Sequence, residues 1–416
     1  IQFDKDETSL LLKANYTAND ARLKYLSRVA SLMEVLNDSQ YKALISATDQ
    51  WDSQEVREYA LYAMQVENNR AVPPNERLDL SLLTLLMTAG GETTDIGTRN
   101  ALMQVMGKAR NRELDYPEPL FAELRRATAP DSRRILTWAI ARVLAIRKPQ
   151  DRIALRPDQV SALLDGFTQA QAADKPVLAG FITEAMISAA ALEWNENHFD
   201  HLFELAQYAR ADMNPDKVIA NFLDANPTLI GEAITRAAHE KDGNANNILC
   251  SAIGQACAKD AGRLKALLDS LMSTTDKKES AAMCKAAADA FWHAPSFCFR
   301  PVLRVIKETG DDQVRLFLAK RVATLLSSLS MYEAPVENED IVTVFGALEK
   351  AQDEETIAEC VELVQKIHAR VRVPVSEEHF RLLIALYKNT KKNSAQRNLV
   401  AALKETAARA DGLIGV

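Results

Sequence analysis

The sequence predicts an all-α chain: an α-solenoid of stacked antiparallel helix pairs, elongated and curved. Three observations predict it. Apolar residues recur three and four apart along almost the whole length, as on one face of a 3.6-residue helix. Acidic or hydroxyl residues stand where helices would begin, offering oxygen acceptors to unpaired backbone amides. Segments of one pattern return after about 40 residues, a period that suits a two-helix repeat, and about twenty helices fit in all.

Residues 1–150 form the first group. Helical stripes run through Leu23, Leu26, Val29, Ala30 and Met33, and through Val56, Tyr59, Ala60 and Ala63. Asp38 with Ser39, Asp52 with Ser53, and Asp131 with Ser132 mark helix starts. A cap followed by an arginine and an apolar helix occurs at 53–57 before 60–64, at 95–99 before 101–106, and at 131–134 before 139–144. Its arginines, Arg57, Arg99 and Arg134, lie 42 and 35 residues apart. Joints fall at 69–76, with Pro73 and Pro74, and at 147–157.

Residues 151–332 form a less regular middle, where helices over 176–195 and 244–260 match in length and apolar spacing but the arginine step is missing. A joint at 330–339, with Pro335, leads into 333–416. The pattern is clear again from Asp311, Asp312 and Arg315 onward, through Glu354 to Ile357 and Asn393 to Arg397. Arg315 and Arg397 lie 82 residues apart, two repeat steps. Ser376 with Glu378 marks one more helix start. The only short alternation, Val371, Val373 and Val375, is broken by Arg372 and Pro374 and reads as an extended linker. The three groups are expected to form one continuous solenoid.

This arrangement resembles the HEAT and armadillo families of α-solenoids, in which an acidic or small cap precedes an arginine and a second helix rich in Ala, Leu and Val. Residues 53–147 and 311–410 carry the resemblance. It implies neighbour-on-neighbour stacking and a continuous surface for binding, and it specifies a fold rather than a chemistry.

Composition narrows the functional classes. With 47% hydrophobic and 26% charged residues, and only 14 Gly and 14 Pro, collagen-like, low-complexity and wholly disordered chains are excluded. Acidic residues number 57 against 50 basic ones, so a net charge of -7 opposes broad neutralisation of phosphates. Five cysteines with no paired framework point to a reducing compartment, the cytosol by expectation. The most apolar windows, 78–91 and 178–194, are respectively too short and interrupted by Thr183 and Glu184, so no membrane span is expected.

No chemical motif stands out. His198 and His201, with Glu204, could share a helix face, but the spacing and glutamate of H-E-x-x-H are missing. Cys250, Cys257, Cys284, His293 and Cys298 lack the paired spacing of zinc sites and read as small core residues. The glycines of 90–97 fit a helix cap and restart, without the lysine of a P-loop. No catalytic residue, cofactor or metal is therefore expected.

Partner-binding candidates come from charge and aromaticity. Nine basic residues against two acids fill 125–156, giving Arg125, Arg126, Arg133, Arg142, Arg147, Lys148 and Arg152 as docking candidates. Arg134 is set apart as a brace for a neighbouring turn. Ten acids against Lys350 alone fill 333–362, giving Glu337, Glu339 and Asp340. Four aromatic rings crowd 291–299, giving Trp292, Phe297 and Phe299 as anchors, although such rings also fill cores. The expected function is a non-catalytic scaffold or adaptor for another protein or peptide. The alternatives are a nucleic-acid-associated solenoid using the basic block, and a helical enzyme whose residues converge only in three dimensions.

Overall fold

The computed structural model describes residues 118–128, 130–145, 152–330, 333–371 and 376–409. It is a helix-pair solenoid, with sixteen α-helices among the described residues, in two compact units that divide after Pro215.

In the first unit the described helices are α1 (Glu118–Arg126), α2 (Pro130–Ala145), α3 (Pro157–Thr168), α4 (Lys175–Ser188) and α5 (His198–Tyr208). Prolines open α2 and α3, where a missing N–H leaves no bond unmade. Consecutive helices pair, while α2 packs on α4 and α3 on α5, the connectivity of stacked pairs. Trp138 of α2 meets Phe181 of α4 edge-on at 5.3 Å in a core that also buries Leu136, Ile140 and Ile182.

Two features of this unit differ from the sequence expectation. Strands β1 (Ala154–Leu155) and β2 (Ala191–Leu192) pair in parallel, Ala154 facing Ala191. The helix expected over 176–195 consequently stops at Ser188. The Ala190 amide donates to the Ile153 carbonyl at 2.8 Å and that of Glu193 to Leu155 at 3.0 Å, so the chain extends there instead. A two-residue pairing across a repeat step leaves no periodicity for sequence reading to detect.

The second unit opens with α6 (Pro215–Ala225), followed by α7 (Ile230–His239), α8 (Gly243–Cys257), α9 (Ala261–Ser273), α10 (Lys277–His293) and α11 (Pro295–Glu308). It continues with α12 (Asp312–Ser328), α13 (Asn338–Lys350), α14 (Glu354–Arg370), α15 (Glu377–Asn389) and α16 (Asn393–Arg409). Helices α8, α10, α12, α14 and α16 stack as one row, and α9, α11 and α13 as the other. Apolar stripes such as Leu264, Leu267, Leu268 and Leu271 of α9, and Val314, Leu318, Val322 and Leu326 of α12, are buried between them.

Aspartates start the first row in register. Asp242 accepts the Ala245 amide at 2.8 Å, Asp276 that of Lys278 at 2.7 Å, Asp311 that of Gln313 at 2.8 Å and Asp353 that of Glu355 at 3.0 Å. These caps lie 34, 35 and 42 residues apart, so from Asp242 onward the repeat continues through the later part of the stretch where the arginine step is missing. The arginine step itself mixes two roles. Arg315 is buried, donating to the Ile306 and Thr309 carbonyls and to Asp312, whereas Arg397 of α16 is exposed.

Polar links join repeats to their neighbours at 37 to 41 residues along the sequence. Arg134 pairs with Asp174, 40 residues on, and Arg300 with Asp340, also 40 on. Asp312 accepts the amides of Gln352 and Asp353, 40 and 41 on, each at 2.8 Å. Glu354 repeats this with Lys391 and Lys392, both at 2.9 Å. Arg370 closes the joint at 330–339 by donating to the carbonyls of Leu326, Leu329, Ser330 and Ala334.

Candidate functional site

Because each pair is antiparallel, the helices of the α8–α16 row run in one direction, and their first turns, aspartate-capped in α8, α10, α12 and α14, share an edge. Along that edge the first turns of α10, α12, α14 and α16 enclose a groove of about 880 Å³. Its apolar surface comes from Ala281, Cys284, Val314, Phe317 and Ala358. Phe317, Glu359 and Asn398 are each the sixth residue of their helix, so the repeat delivers three different chemistries to one row.

The charged rim is partly self-neutralised. Lys392 is paired with Glu355, and Lys320 lies 3.8 Å from Glu359. Burial pushes the Glu359 carboxyl above its ordinary range, Lys320 opposes the shift, and Glu362 and Glu355 add to it. Lys277 forms no ion pair among the described residues. The Arg321 guanidinium lies over the Phe317 ring, 5.9 Å from its centroid. Of the groove residues, sequence reading singled out Cys284 as a core residue and Asp311 as a helix start, but not Lys277, Phe317 or Glu359. The usable signal was the sixth position of each capped helix, which composition windows average away.

The basic block does not assemble one cationic surface among its described members. Arg125 and Arg156 both turn to Asp158, at 2.9 and 3.2 Å. Arg133 donates to the Ala127 carbonyl and to Gln169, both at 2.6 Å, while Arg126 and Arg152 are exposed. Arg134 is 1% exposed and ion-paired with Asp174 at 2.7 Å. The side chain of Arg142, and the whole of Arg147 and Lys148, lie outside the described residues, as do the glycines of 90–97 and the joint at 69–76.

In the acidic block, Asp340 is buried: it accepts the Glu337 amide at 2.7 Å and the Arg300 guanidinium at 3.3 Å. Glu337 also pairs with Arg300, and Glu339 is exposed. The aromatic turn divides. Trp292 and Phe297 are 48% and 40% exposed, whereas Phe299 is 1% exposed and packs on Phe291 at 5.7 Å. Phe299 is thus a core ring rather than a surface anchor, because it falls on the buried stripe of α11 with Cys298, Val302 and Ile306.

The metal-capable groups go separate ways. His198 is buried, its Nδ1 accepting the Asn195 amide at 3.1 Å, which leaves Nε2 to donate to Ser161 Oγ at 2.7 Å. Burial, and then His201, hold its pKa below the ordinary histidine range. His201 bonds Thr168 at 2.8 Å, and Glu204 pairs with Lys175. Cys250, Cys257, Cys284, Cys298 and Cys360 are all buried, and burial pushes each thiol up to about 12. No helix among the described residues is long and apolar enough to cross a membrane.

Neither a protein-family model nor a curated protein matches the sequence. Solved structures do. A crystal structure of the karyopherin Kap121p, bound to the extreme C-terminus of the protein phosphatase Cdc14p, is similar over 98% of this chain with a TM-score of 0.54 and 10% identity. The chain spans about half of that karyopherin's length, 47%. A computationally designed, self-assembling cyclic homooligomer covers 74% of this chain and 93% of its own at 13% identity, but its TM-score of 0.14 carries no argument. The karyopherin likeness shows the fold, an α-solenoid of stacked helix pairs, and the fold alone.

Proposed function

We propose that this chain is a non-catalytic protein-binding scaffold that holds a polypeptide segment of a partner across the first turns of α10, α12, α14 and α16. The groove is the observation that carries this reading: about 880 Å³, open to four successive repeats, with an apolar centre and both signs of charge on its rim. Interfaces combine apolar anchors with a charged rim that sets register. The karyopherin of similar fold is itself described with a protein C-terminus bound, which supports a polypeptide occupant. A non-catalytic role fits the thiols, which burial keeps protonated, and His198 and His201, which serve individual hydroxyl groups. Nucleic acid fits less well, since a phosphate backbone would meet Glu355 and Glu359 in the groove and the described arginines of the basic block are largely engaged.

The test is site-specific crosslinking. A photoreactive residue placed at Phe317 is expected to trap a discrete protein adduct in native extract. One placed at Val342, exposed on α13, is expected to trap none. Equal labelling from both positions, or none from Phe317, would reject the scaffold reading.

A further inference from the structure

Subtracting the internal pairs from the groove leaves an ordered charge pattern. Lys392 is occupied by Glu355, and Asp311 is committed to capping α12. What remains unpaired among the described residues is a cation at Lys277 on α10; beside it stand an aromatic ring at Phe317 on α12, one face of which Arg321 covers, and a carboxylate at Glu359 on α14, held by Lys320 in a long ion pair of 3.8 Å that a closer cation would outcompete. These three stand on three adjacent helices of one row.

The spacing sets the length of what would match them. Packed helices lie about 8–10 Å apart, and an extended chain advances about 3.3 Å per residue, so each helix corresponds to roughly three residues. We propose that the groove selects an extended segment bearing an acidic residue for Lys277, a bulky apolar residue for Phe317 and a basic residue for Glu359, at about three-residue intervals. This rests on the scaffold reading and specifies the chemistry of its occupant. A uniformly acidic segment would meet Glu359, and a uniformly basic one would meet Lys277, each leaving one like-charge contact on the groove rim. Both directions of the bound chain satisfy the pattern.

The probes are fluorescent nonapeptides, polar apart from Leu at the centre and charges at the second and eighth positions, titrated into the full chain and read by anisotropy. The acid–Leu–base peptide is expected to bind roughly tenfold more tightly than the acid–Leu–acid or base–Leu–base peptides. Lys277→Glu should transfer the preference to base–Leu–base, and Glu359→Lys to acid–Leu–acid. Arg381→Glu, at an exposed residue of α15, should transfer nothing, and all three variants should keep the parent's helical melting curve. Equal affinity for the three peptides, charge swaps that leave the ranking unchanged, or binding of a short single-stranded RNA in place of every peptide would overturn the proposal. If no peptide binds while Phe317 still crosslinks a protein, the spacing is wrong and the scaffold reading stands. Loss of both results removes the two together.

Discussion

The crossings α8 on α10 and α12 on α14 occupy the same place in the row two repeats apart but are built on opposite principles. At the first, the backbones approach so closely that a Cβ on Gly254 would lie 2.5 Å from the Ala286 carbonyl oxygen and 2.8 Å from the Ala290 nitrogen. Ala282, Ala286, Ala287 and Ala290 keep that surface flat. At the second, the contact carries a polar clamp: buried Arg315 gathers two carbonyls and Asp312, and Asp312 in turn caps the loop ahead of α14. One architecture therefore tolerates two solutions at equivalent crossings. Small residues allow close dispersion contact, and a polar network in which Arg315 holds Asp312 ties the start of α12 to the loop ahead of α14.

The largest expected effect comes from breaking the clamp. Arg315→Met strips a buried donor from Ile306 and Thr309 and leaves Asp312 without its cation, and should cost about 3–5 kcal/mol in urea denaturation. A loss below about 1 kcal/mol would mean that the crossing is held by apolar packing, as α8 and α10 are.

Next is Gly254→Ala. In an unconstrained helix this change stabilises by about 1 kcal/mol. Here the new methyl meets backbone rather than a movable side chain, so a net loss of about 1–3 kcal/mol is expected. A stabilised variant would show that the close approach does not hold α8 on α10.

Asp289 sharpens the same crossing. Its carboxyl stands on α10 beside Gly254, and burial raises its pKa from 3.8 to about 6, with Asp216 of α6 adding to the rise and Arg321 of α12 and Lys285 opposing it. Because the folded state holds this proton more firmly, the contribution to stability is full below pH 4 and is lost as pH rises through 6. Asp289→Asn should flatten that dependence and, above pH 6.5, stabilise the chain by on the order of 2 kcal/mol. An unchanged pH profile of urea midpoints would remove Asp289 from the account.

The smallest effect is a matched pair. Asp242→Ala at the start of α8 and Asp353→Ala at the start of α14 should each cost about 1 kcal/mol, since both remove the same kind of cap. A clear inequality would place the difference between the regions in the helix ends as well as in the crossings.

These contrasts also explain what sequence reading reached. Keyed to arginine, it placed the repeat where Arg134 and Arg315 stand, and lost it between 156 and 300, where Gly254 and alanines replace the clamp. The caps Asp242 and Asp276 would have carried the register through the later part of the gap, from 242 onward. The same reading equated Arg315 with Arg397, one buried and one exposed, because a residue's place in a period does not fix its burial. Of the candidate partner residues, Trp292, Phe297 and Glu339 lie at the surface, while Phe299 and Asp340 are in the interior.

By itself the sequence determined the helices, their aspartate starts and a repeat of about 40 residues, because capping and apolar periodicity act within one or two turns of chain. Tertiary structure alone decided which groups meet one repeat later: Arg134 with Asp174, Lys320 with Glu359, a Gly254 backbone against Ala286. It also decided that the row would open a groove at Phe317. Those outcomes depend on the rotation and separation of stacked helices, set by the summed packing of every side chain between them, and no local pattern encodes that sum.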